Sequence, residues 1–222
     1  MSAALNLLSF PAQSAPQSLV EKYRPARIQD FAGIATVKET MLRFVEQPRK
    51  SAWMFVGESG TGKSTMANLV AELIDAQLTF VPSQECTVDR LRWVIQICRS
   101  YPMSGQRFNL VLVDEADLMS KAARDYLLST LDNLPPDCIF IFTCNDMSNF
   151  EPRFLSRTRI LKFGNYRIQE EAASLLARIW EAEAPGKTGP NFTRMVKEWK
   201  GEPINGNIRA ALMALEMELM LA

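Results

Sequence analysis

Short, mostly apolar runs along the chain alternate with longer stretches whose apolar residues recur every three or four positions. The runs cover residues 53–56, 79–81, 109–113, 139–143 and 159–163. Strands that are apolar along their length, rather than at every second position, suit a parallel sheet covered on both faces. Between them, residues 37–45, 63–74, 88–100 and 120–131 have helical spacing; in the third of these Val88, Leu91, Val94, Ile95 and Cys98 fall on one face. After Gly164 the strand runs stop. Residues 168–183, 192–199 and 207–221 then read as helices, separated by Pro185-Gly186 and Gly201-Glu202-Pro203. The pattern predicts an α/β unit with a parallel five-stranded sheet flanked by helices, followed by a small all-helical unit. We place the boundaries at 1–18 for an N-terminal arm, 19–165 for the α/β unit and 166–222 for the helical one. The arm, rich in Ala, Ser, Pro and Gln without a sustained period, reads as flexible. Its Leu5, Leu7, Leu8 and Phe10 are candidates for docking on a partner.

Composition narrows the chemistry. The 222 residues include no histidine, which excludes a serine–histidine triad and any histidine-ligated metal. Twenty-five basic and 25 acidic side chains cancel, so any nucleic-acid contact must come from a local patch rather than from bulk charge. Cys86, Cys98, Cys138 and Cys144 form no CxxC pair; Cys138 and Cys144 fall in a strand run, as small buried hydrophobes would. Free thiols and the absence of an 18-residue apolar run or a signal-peptide pattern lead us to expect a cytoplasmic protein without a membrane segment.

The candidate chemistry begins at Gly57-Glu58-Ser59-Gly60-Thr61-Gly62-Lys63-Ser64-Thr65, which satisfies G-x-x-x-x-G-K-[ST] between a strand run and a helical run. Glycines let backbone N–H groups turn inward, and the following helix presents its positive end to phosphate. Lys63 adds a charge for the β- and γ-phosphates, and the Ser64 hydroxyl is a Mg²⁺ ligand. These features predict the fold of a P-loop NTPase that takes a nucleoside triphosphate and Mg²⁺.

Two further strand ends complete the candidate site. Leu110-Val111-Leu112-Val113 runs into Asp114-Glu115-Ala116-Asp117, delivering acids to the end of the sheet where ligands bind. Asp114 would hold Mg²⁺, partly through water, and Glu115 would act as the catalytic base toward the attacking water. Thr143-Cys144-Asn145-Asp146 closes the next strand, and Asn145 is the residue we assign to the γ-phosphate and water.

Together these residues resemble an AAA+ ATPase. Val20-Glu21-Lys22-Tyr23-Arg24-Pro25, with Asp30-Phe31 and Gly33, is similar to the opening of clamp-loader small subunits of the replication factor C type, whose acidic motif also takes the DEAD form. The resemblance runs over residues 19–222. It implies that Tyr23, Arg24 and Pro25 lie beside adenine and ribose, and that Arg157, in Leu155-Ser156-Arg157-Thr158, is a finger inserted into a neighbour's ATP. It implies that Arg209, in Gly206-Asn207-Ile208-Arg209, couples the γ-phosphate to a helical lid. It also implies a homo- or hetero-oligomer, a ring or spiral, with DNA and a sliding clamp or another replication protein as partners. Arg90, Lys121 and Arg124 occupy positions comparable to DNA contacts. Thr158 stands where the family has cysteine, and Leu128-Ser129 where many members carry basic residues. The sequence ends at Ala222, where clamp-loader subunits continue into a collar, so the resemblance implies a subunit without one. Two other functions fit the same motifs: an ATP-driven protein remodeller or activator, and an ATP-gated scaffold that assembles on DNA, as transposition regulators do.

Overall fold

The computed structural model describes residues 17–99, 105–164 and 168–221. A short helix α1 (Leu19–Lys22) is followed by α2 (Ala35–Glu46), β1 (Ser51–Val56), α3 (Lys63–Leu73), β2 (Ala76–Pro82), α4 (Val88–Arg99), β3 (Phe108–Asp114), α5 (Lys121–Asp132), β4 (Cys138–Cys144), α6 (Pro152–Leu155) and β5 (Arg159–Lys162). Then come α7 (Ile168–Glu183), α8 (Phe192–Lys197), the two-residue strands β6 (Glu198–Trp199) and β7 (Glu202–Pro203), and α9 (Ile208–Leu221). The arm's Leu5, Leu7, Leu8 and Phe10 lie outside the described residues, as does the expected boundary at 165.

The five long strands form one parallel sheet in the order β2-β3-β4-β1-β5. β4 inserts between β1 and β3, with Met54 opposite Phe142 and Val113 opposite Phe142 on its other side. The carboxyl ends of β1, β4 and β3 therefore stand side by side, which is what builds the site. β4 is buried at every residue, as a central strand between two helical layers must be.

Each sheet face has its own apolar core. On one, Phe55, Leu110, Leu112, Ile139 and Ile141 pack against Met41 and Phe44 of α2 and Met66 and Val70 of α3. On the other, Val111, Val113, Phe140 and Phe142 meet Leu91 and Val94 of α4, Leu127 of α5 and Phe154 of α6. Phe140 stacks on Phe142 with ring centroids 5.9 Å apart, and Phe154 meets Phe142 edge to face at 5.4 Å. Burying each such phenyl contributes about 1.5–3 kcal/mol. A third core joins Leu176, Ile179 and Trp180 of α7 with Met195, Val196, Leu212 and Leu215, and Leu19 of α1 packs into it. Ser18 caps α1 by accepting from the Glu21 N–H, and the Leu19 N–H donates to Glu216 of α9 at 3.2 Å.

The helix expected over 192–199 stops at Lys197. Glu198 and Trp199 instead pair antiparallel with Pro203 and Glu202. Lys200 and Gly201 between them have φ of 51° and 86°, the doubly left-handed geometry that closes a two-residue hairpin. The Trp199 indole donates to Glu218 at 3.0 Å, fixing the hairpin on α9. Local apolar spacing carries no record of that partner. The strand expected over 79–81 extends to Ala76–Pro82, because β2 pairs with β3 along its whole length.

Candidate nucleotide site

β1 delivers the glycine-rich loop and α3 starts at its last residues. Gly57 stands beside β5: a Cβ there would lie 2.2 Å from the Phe163 carbonyl oxygen, so a side chain would push β5 off β1. Gly60 and Gly62 adopt φ of +75° and +92°, where only glycine is unstrained. A Cβ on Gly60 would also strike Asn207 Oδ1, at 1.9 Å, so the loop tip touches the start of α9. Asn207 Oδ1 accepts from the Ala210 N–H at 3.0 Å, capping that helix and holding Arg209 beside the loop.

Lys63 is 8% exposed, and its ammonium donates to the carbonyls of Gly57 (2.6 Å) and Glu58 (2.9 Å) and to Asn145 Oδ1 (3.1 Å). Burial pushes its pKa below the usual lysine value and Arg209 pushes the same way, while Asp114 and Asp117 oppose the shift. A desolvated cation satisfied by neutral oxygens gains strongly from an anion placed beside it.

Across the strand ends a chain of hydrogen bonds ties three elements together. Asp114 Oδ1 accepts from the Ser64 hydroxyl and from the Thr143 hydroxyl, both at 2.6 Å. The Thr143 oxygen in turn accepts from the Glu115 N–H at 3.1 Å. Glu115 is held at φ 54°, ψ 45°, a left-handed conformation that costs a non-glycine residue about 1–2 kcal/mol. Its side chain is exposed. Thr143, 1% exposed, is a site residue that the sequence reading passed over in favour of Asn145. The one available signal was a hydroxyl at the end of an otherwise apolar strand.

A cavity of about 560 Å³ opens over the loop. Tyr23, Arg24 and Pro25 line one wall, Gly60, Thr61, Gly62 and Thr65 the floor, and Leu175, Arg178, Ile208, Arg209 and Leu212 the wall from α7 and α9. Tyr23 and Lys22 hold α1 against α7: the phenol donates to Glu183, and the Lys22 ammonium lies 2.7 Å from it. Burial first, and then the bond to Glu183, push the Tyr23 phenol up to about 12. Arg178, exposed on α7, is a second cavity arginine absent from the sequence-based set.

The residues present fit ATP and Mg²⁺. The volume suits a nucleotide, the floor is a glycine cradle that side chains would fill, and Ser64 and Asp114 are the hard oxygen donors Mg²⁺ prefers. Glu58 and Ser59, also expected to hold nucleotide, are exposed at the loop's outer edge. Burial pushes the thiols of Cys86 and Cys144 up to about 11 and about 12, so neither is a nucleophile in this site.

Arg157 stands apart from this cluster. It follows α6 and forms a bidentate pair with Asp132 at the end of α5. Arg90, Lys121 and Arg124 lie on the helices of the second sheet face. Arg90 covers the ring of Trp93, Arg124 donates to the Met119 carbonyl, and Lys121 is exposed as the first residue of α5.

Residues 53–165 match the family described as "ATPase family associated with various cellular activities (AAA)". The chain belongs to the AAA family. The chain is similar to Replication factor C subunit 4 of Encephalitozoon cuniculi, 29% identical over 203 residues, and to the Replication factor C small subunit of Halobacterium salinarum, 26% identical over 203 residues. Each alignment covers 89% of this chain, but 63% and 61% of those relatives. The chain thus spans under two thirds of their length. In fold it is similar to the Thermotoga maritima RuvB Holliday junction branch migration motor, with a TM-score of 0.67 and 16% identity over 90% of this AAA chain and 72% of that one. Among the described residues no helix is long and apolar enough to cross a membrane.

Proposed function

We propose that this AAA protein hydrolyses ATP as an oligomer and uses the cycle to grip and release DNA together with a protein partner, as a cytoplasmic relative of clamp-loader small subunits. The observation that carries this reading is the convergence of Lys63, Ser64, Asp114, Thr143 and Asn145 through direct hydrogen bonds at the ends of three adjacent strands, beneath a nucleotide-sized cavity. The similarity to replication factor C small subunits supports the choice of client, a sliding clamp or another replication protein.

Lys63 leaves the loop carbonyls for the β- and γ-phosphates, exchanging neutral acceptors for charged ones. Ser64 and Asp114 hold Mg²⁺, which supplies charge neutralisation to the phosphate oxygens when bound. Glu115, fixed by the Thr143–Glu115 bond, takes the proton of the attacking water, and Asn145 positions that water. Tyr23, Arg24 and Pro25 receive the base and sugar. Arg209 senses the γ-phosphate from α9, so the helical unit (166–222 in the division we propose, with 19–165 the α/β unit) moves with the state of the nucleotide. Arg157 serves the neighbouring subunit's site.

The test is Glu115→Gln. It should bind ATP as the wild type does, lose turnover, and accumulate as an assembled species on size-exclusion chromatography with ATP. Normal turnover in that variant refutes the assignment of the base. ATPase stimulation by primed duplex DNA supports the clamp-loader reading. Stimulation by a protein alone favours a remodeller, and filaments on duplex DNA favour a transposition-regulator scaffold.

A further inference from the structure

The outer face of α4 carries a feature that the ATP site does not use. The Arg90 guanidinium lies over the indole of Trp93, 4.3 Å from the ring centroid. Trp93 is 48% exposed. Of the other three tryptophans, Trp53 and Trp180 are buried and Trp199 is half-buried on Glu218. Beside this pair, the Arg92 guanidinium stands 5.7 Å from the ring of Tyr126 on α5. Exposed Gln96 and Arg99 continue the face toward the end of the helix. Among the described residues Arg92 is ion-paired, with Asp89 at 2.9 Å, whereas Arg90 and Arg99 take part in no ion pair.

Arginine interleaved with aromatic rings selects a particular partner. An apolar protein surface laid over Trp93 would bury more of Arg90, whose Nε is already buried without a partner, and desolvating an unpaired cation is costly. A planar, anionic partner satisfies both groups: the indole takes a flat ring, and the guanidinium takes charge. Arg90 occupies one side of the indole and holds its orientation, so a ring entering from solvent needs no rearrangement. A duplex hides its base faces in the stack, which leaves phosphate contacts as its means of binding here. A single strand offers both bases and phosphates.

We propose that Trp93, backed by Arg90, is a stacking site for an unpaired base of single-stranded nucleic acid. The proposal rests on the reading of this protein as one that grips DNA, and adds to it a preference for an unpaired segment. The site lies on the sheet face opposite α3, so it binds without occupying the nucleotide cavity.

The experiment is tryptophan fluorescence of the full chain titrated with a 15-nucleotide oligo(dT), its oligo(rU) counterpart and a blunt duplex, at low and moderate salt. Because Trp93 is the exposed tryptophan, oligo(dT) should quench the emission, and Trp93→Leu should abolish the quench. Affinity for oligo(dT) should fall about 5- to 150-fold in that variant, the loss of one base–aromatic stack, while duplex affinity is unchanged. Equal loss with oligo(rU) supports stacking without sugar discrimination. Arg90→Gln should weaken oligo(dT) binding and flatten its salt dependence. Quenching that persists in Trp93→Leu, or unchanged oligo(dT) affinity, overturns the proposal while duplex binding upholds the DNA grip. Emission that shifts with protein concentration alone, with no effect of oligo(dT), overturns it in favour of a subunit contact. Absence of binding to any nucleic acid overturns both readings. Retained ATP binding certifies that the variants fold.

Discussion

Arg157 and Asp132 form a two-point pair, with Nε 2.7 Å from one carboxylate oxygen and the second guanidinium nitrogen 3.0 Å from the other. The pair holds Asp132 below the usual carboxylate pKa and raises that of Arg157. If Arg157 acts on a neighbour's ATP, it must first leave Asp132, so the carboxylate competes with the phosphate for the same planar fork. Asp132→Asn should therefore raise the ATPase rate of the assembled protein. In an Arg157→Ala background the same change should have no effect. Arg157→Ala alone should cut turnover by about 10³- to 10⁵-fold, as loss of such an arginine does in other phosphoryl-transfer enzymes. Steady-state ATPase assays on the wild type and the three variants measure all of this.

Thr143→Val removes the hydroxyl that links Asp114 to the Glu115 N–H. The variant keeps the shape of the buried side chain but leaves a polar group without its partner, at a cost of about 1–3 kcal/mol in urea unfolding. We expect turnover to fall at least 10-fold while the Kd for ATP changes little. Unchanged turnover would mean that the left-handed Glu115 backbone needs no support from β4.

Two glycines of the loop separate fold from function. Gly57→Ala meets the Phe163 carbonyl and should destabilise the protein by about 1–3 kcal/mol, because β5 must move. Gly60→Ala meets the Asn207 side chain instead. Its larger effect should be on nucleotide-dependent protection of α9, read by hydrogen exchange with and without ATP.

The Tyr23–Glu183 bond makes a pH prediction. Tyr23 is raised to about 12 in the folded chain from 10.0, so its contribution to stability is fully present below pH 10 and lost as pH rises through 12. Glu183 is lowered from 4.5, chiefly by Lys22, so its contribution is present above that value and lost as pH falls through the folded pKa. Tyr23→Phe should remove a tyrosine that titrates near pH 12 from a 295 nm absorbance titration. It should also weaken ATP binding if α1 orders the base pocket.

The parts of this molecule that sequence displayed are those that local chemistry dictates. Five apolar runs became the strands of one parallel sheet, with β1, β3 and β4 buried and the edge strands β2 and β5 partly exposed, and GESGTGKS between a strand and a helix became a phosphate cradle. The parts it concealed depend on partners far along the chain. Leu19 meets Glu216 and Tyr23 meets Glu183, so the segment marked by EKYRP packs on the C-terminal helices. Nothing in six residues announces a contact 160 or more positions away. Asn207, the first residue of the helix expected over 207–221, caps that helix from just outside it and touches Gly60. Trp199 had helical spacing, yet its indole bond to Glu218 and the Lys200-Gly201 turn made it a strand.

The central claim is that one subunit's loop and another's Arg157 make a single ATP site, and mixing two inactive variants tests it most directly. Lys63→Ala lacks the phosphate lysine and Arg157→Ala lacks the finger, so each alone should be nearly inactive. Mixed in equal amounts, they should regain part of the wild-type ATPase rate, because an intact loop can face an intact arginine across an interface. A mixture no more active than its components, or an Arg157→Ala protein with full activity alone, would contradict catalysis shared between subunits.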